Sequence, residues 1–323
     1  MTEHLILILG ACLLDALLGD PVYPLHPIRI IGHWILVCER ALFALGLKGR
    51  LGGVIHWGLV VGMALGVWAG VRLGLAAIHP WLAWGWDLFI AYSLLCTREL
   101  LEQGWRILRD LDDLPAVRRR LSLLVGRDTE PLQRDGVVRA TLESLSENLT
   151  DGVLTPLWTL CLFGLPGLIL VKAISTLDSM VGYKNERYAR FGWAAARSDD
   201  LIHWLPARLS VPLLALAAAL LREHPWLAFR AAWRYHALLP SPNSGWSEAV
   251  CAGALRVRLI GPVWRRGRLV TAIYMGDPDW PSELDAADLR RGLRLILTAC
   301  LLAVAVGLSL AVLVPGAWPH SRP

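Results

Sequence analysis

Residues 293–314, "LRLILTACLLAVAVGLSLAVLV", form an apolar run with one charged residue, Arg294. As a helix, at about 1.5 Å per residue, such a run reaches across a hydrocarbon core of ~30 Å. Further runs at 4–18, 53–78 and 81–97 repeat the pattern. In lipid no water satisfies a free backbone N–H or C=O, so spans of this kind must be helical. The mean hydropathy of +0.47 and a charged fraction of only 18% agree. The expectation is an all-α, multi-pass membrane helical bundle. Sixteen tryptophans fit it, because Trp concentrates where bilayer meets water.

The opening "MTEHLILILGACLLDALLGD" has neither the basic n-region nor the small-residue cleavage site of a signal peptide and reads as a retained first helix. The six cysteines show no CxxC and read as small hydrophobes in reduced surroundings. From 98 to 140 the chain turns charged, with Leu101, Trp105, Leu108 and Leu111 at helical spacing. Asp112–Asp113 followed by Pro115 marks one helix ending and another being capped. These are expected to be amphipathic helices on the cytoplasmic surface, since Arg-rich segments stay inside. Two further apolar segments are interrupted: 153–174 by "GLPG" at 164–167, and 201–221 by Pro206, Arg208 and Pro212. Broken or re-entrant helices are tolerated at membrane depth only inside protein or beside a cavity. With no repeat and no linker, one integral membrane domain over 1–323 is expected, with polar cytoplasmic-side segments at about 98–152, 175–200 and 222–292.

Four polar clusters interrupt this background. In "ESLSENLTDG", helical periodicity puts Glu143, Glu147 and Asp151 at i, i+4 and i+8, on one side of a helix. Like charges so placed repel, and with Asn148 they offer the hard oxygen ligands that Mg²⁺ takes. "DALLGDPVYPLHPIRIIG" carries Asp15, Asp20, His26 and Arg29 among prolines, either as a solvated loop or as part of a site at the membrane surface. The densest cluster, Lys172 to Arg208, mixes Lys184, Arg187, Arg190, Arg197 and Arg208 with Asp178, Glu186, Asp199 and Asp200. Arginine grips phosphate or carboxylate as a fork and lysine as a point charge. The last, "SPNSGWSEAVCAGALRVRLIGP", is a polar turn leading into a small-residue helix that contains Glu248. The chain has no P-loop, GxGxxG, HExxH or GxSxG, and no basic–aromatic array for nucleic acid despite its net charge of +5.

The stretches "ATLESLSENLTDGVLTPLW", "KAISTLDSMVGYKNERYARFGWAAARSDDLIHWLPARL" and "SPNSGWSEAVCAGALRVRLIGP", with "DxxxGDPxxxxHPxR" near the start, resemble the adenosylcobinamide-phosphate synthase family of cobalamin biosynthesis. The likeness runs in order over nearly the whole chain. It departs at Ser175 and His203, where the family pattern has Asn, and at Ile260, where it has a second Gly. The resemblance implies an ATP-dependent amide ligase in the cell inner (plasma) membrane, its active site facing the cytoplasm. It would join the corrinoid adenosylcobyric acid to (R)-1-amino-2-propanol or its O-phosphate, with Mg²⁺ accompanying the nucleotide.

The roles implied are as follows. Glu143, Glu147, Asp151 and Asp178 hold Mg²⁺. Asp199 and Asp200 serve as ligand or base, and Lys184, Arg187, Arg197 and Arg208 hold phosphates. Asp20, His26, Arg29, Asn148, Asn185, Ser241, Asn243, Ser244 and Glu248 bind substrate. Partners beyond substrates and lipid would be further copies of the chain or other late enzymes of the pathway. Two other classes compete. A transporter of a cation or organic anion would also use broken helices and midplane acids, and a non-catalytic sensor would not need the full acidic and basic set. Joining 143–152, 175–200 and 241–262 in one site requires 153–174 to be a re-entrant hairpin open to the cytoplasm.

Overall fold

The computed structural model describes residues 2–21 and 23–313; position 314 of the last expected span and both ends of the expected 1–323 domain lie outside them. In chain order the first helices are α1 (Thr2–Leu18), α2 (Pro27–Ala44), α3 (Arg50–Ile78) and α4 (Pro80–Ser93). Then come α5 (Thr97–Arg109), α6 (Leu114–Leu121) and α7 (Arg134–Asn148), a π-helical turn (Leu149–Leu154), and α8 (Thr155–Val181). α9 (Trp193–Ile202), α10 (Trp204–Leu220), α11 (Pro225–Tyr235) and α12 (Ser244–Leu255) follow. Two small antiparallel ladders pair β1 (Leu259–Ile260) with β4 (Tyr274–Met275) and β2 (Val263–Arg265) with β3 (Arg268–Thr271), before α13 (Ala286–Leu313). The protein is an all-α membrane helical bundle. Four described stretches are long and apolar enough to cross a membrane: Arg50–Ile78, Arg134–Val181, Trp193–Leu220 and Ala286–Leu313.

The described residues divide into two compact units that interleave along the chain. One comprises 2–21, 23–96, Thr155–Ile202 and 304–313; the other comprises Thr97–Leu154 and His203–Ala303. The core of the first unit joins Ile31 and Ile35 of α2, Val60 and Val61 of α3, and Ala173, Ile174 and Leu177 of α8. Outside this core α3 exposes Leu51, Val54, Leu59, Val67 and Leu73, an apolar surface suited to lipid. Asp87 of α4 is buried beside it and accepts from Trp68 Nε1 at 2.9 Å and Arg72 Nε at 2.8 Å, so each charge has its counter-charge within the unit. The expected span 81–97 is too short: α4 stops at Ser93, giving 14 residues, or about 21 Å.

α8 is broken where "GLPG" predicts. Gly164 has φ 64° and ψ −160°, a region essentially confined to glycine. A Cβ placed on Gly167 would lie 3.1 Å from the Thr159 carbonyl oxygen, eight residues back. Eight residues of straight helix rise about 12 Å. The two arms, 155–163 and 165–181, therefore double back on each other.

In the second unit α7 is enclosed, with Gly136–Ser146 buried without interruption. The Asp112–Asp113 reading holds: Asp113 caps α6, its Oδ1 accepting the Ala116 N–H at 3.0 Å. The 201–221 segment corrects an expectation of interruption, since α10 runs unbroken through both prolines. Pro206 falls in its first turn, where no N–H is needed, and Pro212 sacrifices one ladder bond. α11 and α12 cross closely because Ala228 and Ala231 meet Gly253, where any Cβ would run into the Leu227 carbonyl oxygen.

Gly164→Ala puts a Cβ on a residue whose backbone conformation excludes one. A loss of about 1–3 kcal/mol is expected, read as a lowered thermal midpoint in detergent; an unchanged midpoint would mean the reversal does not depend on this residue.

Candidate functional site

In the second unit α7 and α12 bring three acids to one small polar cavity of about 120 Å³, lined by Glu143, Ser144, Glu147, Glu248, Arg127, Arg265 and residues 124–126. Glu143 is buried and fully engaged. Its Oε2 accepts from Arg127 at 2.5 Å, and its Oε1 accepts the Ile260 N–H at 2.7 Å. To present that N–H, Ile260 adopts φ 66°, a strained conformation for a β-branched residue. The resemblance expects glycine there, which would adopt it freely.

Glu147 and Glu248 are different: neither has a hydrogen-bond donor among the described residues. Glu248 is 4% exposed on the small-residue face of α12. Burial pushes its carboxyl well above the ordinary value of 4.5, and the charges of Glu147 and Glu143 push it further, with Arg127 opposing. Such a pair of acids accepts either a proton or a cation.

Asp151 remains near enough for its charge to act on Glu248. The π turn at Leu149–Leu154 changes the helical repeat, and Asp151 Oδ1 lies 3.4 Å from Nδ1 of buried His203. Asn148 spends its amide on Ser144, donating to that residue's carbonyl at 2.8 Å. Ser241 Oγ accepts the N–H groups of Asn243 and Ser244 at 3.2 and 3.3 Å, forming the turn that starts α12. Arg208 stacks over Trp204 at 4.1 Å and over Trp246 at 5.2 Å.

The first unit holds the other predicted residues. His26 caps α2, its Nδ1 accepting the Ile28 N–H, while its Nε2 lies 2.9 Å from Asp20. Arg29 is exposed and reaches the Tyr23 carbonyl at 3.4 Å. Ser175 donates to Asp199 at 2.9 Å, and Arg197 contacts Asp200 at 3.3 Å. Asp178 is half-buried on α8, and Lys184 and Asn185 are exposed in the loop after it. Arg187 is committed elsewhere: its guanidinium donates twice to buried Glu39, at 2.6 and 2.9 Å, and the Tyr188 hydroxyl adds a third bond.

Sequence reading missed Glu39, Arg127 and the Ile260 N–H. Glu39 left a signal, being a lone acid inside an apolar helix that must find a partner. Arg127 left none, since its loop resembles any charged surface turn.

Among the described residues no three His, Cys, Asp or Glu side chains converge as a ready-made metal cage. The donor chemistry nevertheless suits Mg²⁺, which takes one or two carboxylates and completes its shell with water and substrate phosphate. Glu147 and Glu248 supply such a pair, and Glu143 fixes the neighbouring guanidinium.

Helices with lipid-facing apolar surfaces, a doubled-back segment and an acidic polar cavity define an integral membrane protein. A family model, CobD/Cbib protein, matches residues 8–296. The chain belongs to that family. Similar curated proteins include cobalamin biosynthesis protein CbiB of Salmonella typhi, 41% identical over 92% of this chain and 94% of the relative. Cobalamin biosynthesis protein CobD of Klebsiella pneumoniae is 41% identical over the same shares, and that of Citrobacter koseri 40% over 95% and 97%. No solved structure matches the chain.

Glu248→Gln removes a group whose folded-state pKa lies above its unfolded value. The wild-type carboxyl costs no stability below about 4.5 and progressively more as pH rises towards its raised pKa. The variant should therefore match wild type in acid, melt increasingly higher through that window, and hold a constant advantage above it. A thermal-midpoint difference that does not vary with pH would contradict this.

Proposed function

We propose that the protein is an adenosylcobinamide-phosphate synthase, an amide ligase of cobalamin biosynthesis that uses ATP and Mg²⁺. It joins a carboxylate of adenosylcobyric acid to the amine of (R)-1-amino-2-propanol O-phosphate, or of free aminopropanol. The names of the curated relatives support the pathway. The observation that carries the chemistry is the polar cavity in which Glu147 and Glu248 lie without hydrogen-bond donors beside the Arg127–Glu143 pair.

A carboxylate and an ammonium ion form an ion pair in water and do not condense, so the carboxylate must be activated. In the proposed reaction it attacks the γ-phosphorus of ATP, and the bond to the bridging oxygen breaks to release ADP. The deprotonated amine then adds to the acyl carbon, and phosphate leaves with the electron pair of the acyl–oxygen bond. Amide, ADP, phosphate and one proton account for all atoms. Mg²⁺, held by Glu147 and Glu248, supplies charge neutralisation on the phosphates.

Arg127, kept in place by Glu143, adds a fixed positive charge to the same cavity. Arg187, in the first unit, serves Glu39. The Arg-rich loops of the second unit support a cytoplasm-facing site in the plasma membrane.

Purified protein in lipid, given ATP, Mg²⁺ and both organic substrates, should form the amide with one ADP per product. Glu147→Gln should raise the Mg²⁺ concentration for half-maximal rate by about 10- to 100-fold. No product with either form of the amine, from folded protein, would end this reading.

A further inference from the structure

α11 has two faces that differ in kind. Ala228, Ala231 and Ala232 are buried, and Ala228 and Ala231 lie against Gly253 of α12. On the opposite face Trp226, Phe229 and Trp233 fall at i, i+3 and i+7 and are 77%, 43% and 80% exposed. A helix places these three within about 60° of one another at 3.6 residues per turn. Arg230 and Arg234 lie beside them along one edge of that stripe. Both arginines donate to Asp277, each at 2.9 Å, so two cations share one carboxylate and a positive charge is left over. Their side chains remain more than half exposed.

The neighbouring element fixes where this stripe sits. α10 presents Leu205, Leu209, Leu216 and Leu220 outward along its length, the spacing of one lipid-facing row. It ends at Leu220, and α11 begins at Pro225. Only four residues separate them, among them exposed Arg222, whose φ of 58° turns the chain. α11 therefore starts where a helix with a lipid-facing side stops. At about 16 Å in length it cannot cross a core of ~30 Å itself.

We propose that α11 lies in the plane of the membrane, with Trp226, Phe229 and Trp233 seated at the boundary between headgroups and acyl chains and the arginine edge on the phosphates of anionic phospholipid. Trp and Tyr favour that depth because their rings are amphipathic, and arginine adds attraction to anionic headgroups. The one-sided arginine edge matches a boundary that is apolar below and charged above. The surface is separate from the cavity on α7 and α12, so the inference stands whatever reaction that cavity performs.

The test uses full-length protein, its six native cysteines replaced, with a nitroxide at position 226 or 233, reconstituted in nanodiscs of phosphatidylcholine with or without phosphatidylglycerol. Collision with apolar oxygen should exceed collision with a water-soluble nickel chelate at both positions. The oxygen-to-nickel ratio should be several-fold above that of a label at exposed Arg119. Phosphatidylglycerol should raise it further, and Arg230→Gln with Arg234→Gln should remove that increment. A ratio equal to that of Arg119 would show the stripe in water and overturn the proposal. Labels shielded from both reagents would show a protein surface covering it, and would overturn it equally. As a measurement free of cysteine replacement, Trp226→Ala with Trp233→Ala in the native chain should reduce quenching of tryptophan emission by lipids brominated near the headgroup. Unchanged quenching would count against the proposal.

Discussion

A carboxylate enclosed on all sides is tolerable only if its charge is answered, and Glu143 is such a group. α7 is buried from Gly136 to Ser146 because α5, α6, α12 and β1 all pack on it, so nothing in that stretch can turn outward to water. Arg127 and the Ile260 N–H take one Glu143 oxygen each. Removing one partner of such a buried pair costs about 3–5 kcal/mol, enough to dictate the loop carrying Arg127 and the strained residue that ends β1. Once Glu143 is satisfied, Arg127 is fixed beside Glu147 and Glu248, whose carboxylates take no hydrogen bond from any described residue. The chemistry proposed for the cavity follows from those two carboxylates.

The first unit meets a different constraint, because lipid replaces water around it. α3 and α1 expose leucine, isoleucine and valine that would be unfavourable in an aqueous setting. Its charges are handled locally. Arg72 and Asp87 pair, and Arg187 and Tyr188 close over Glu39. Each pair ties neighbouring segments together: α3 to α4 in one case, and the loop after α8 back to α2 in the other. A single substitution at Glu39 would strip partners from both residues of that loop.

Much of the fold was legible because it is written in short range. Apolar length announces the helices of the bundle, Asp113 before Pro115 announces a cap, and glycine beside proline at 164–167 announces a reversal. Errors arose where length or context decides. The expected span 81–97 contains a helix of only 14 residues, and two prolines failed to interrupt α10 because one sits in its first turn. In the site, the acids of 143–147 and 248 were legible as motifs, but their partners were not. Glu39 and Arg187 are 148 positions apart, and Ile260 and Glu143 are 117 apart, distances at which no periodicity speaks. The π turn that carries Asp151 was not legible either, because a change of helical repeat over six residues leaves no periodicity to read.

The central claim is that Glu147 and Glu248 hold a divalent cation together with nucleotide. Mn²⁺ reports this directly, because its free ion gives a sharp electron paramagnetic resonance signal that binding removes. Titrated into purified protein with a non-hydrolysable ATP analogue, Mn²⁺ should bind at one site per chain. It should lose that site in Glu147→Gln and in Glu248→Gln, while Glu130→Gln, on an exposed loop residue, leaves it intact. Full retention of the site in both cavity variants would contradict the account.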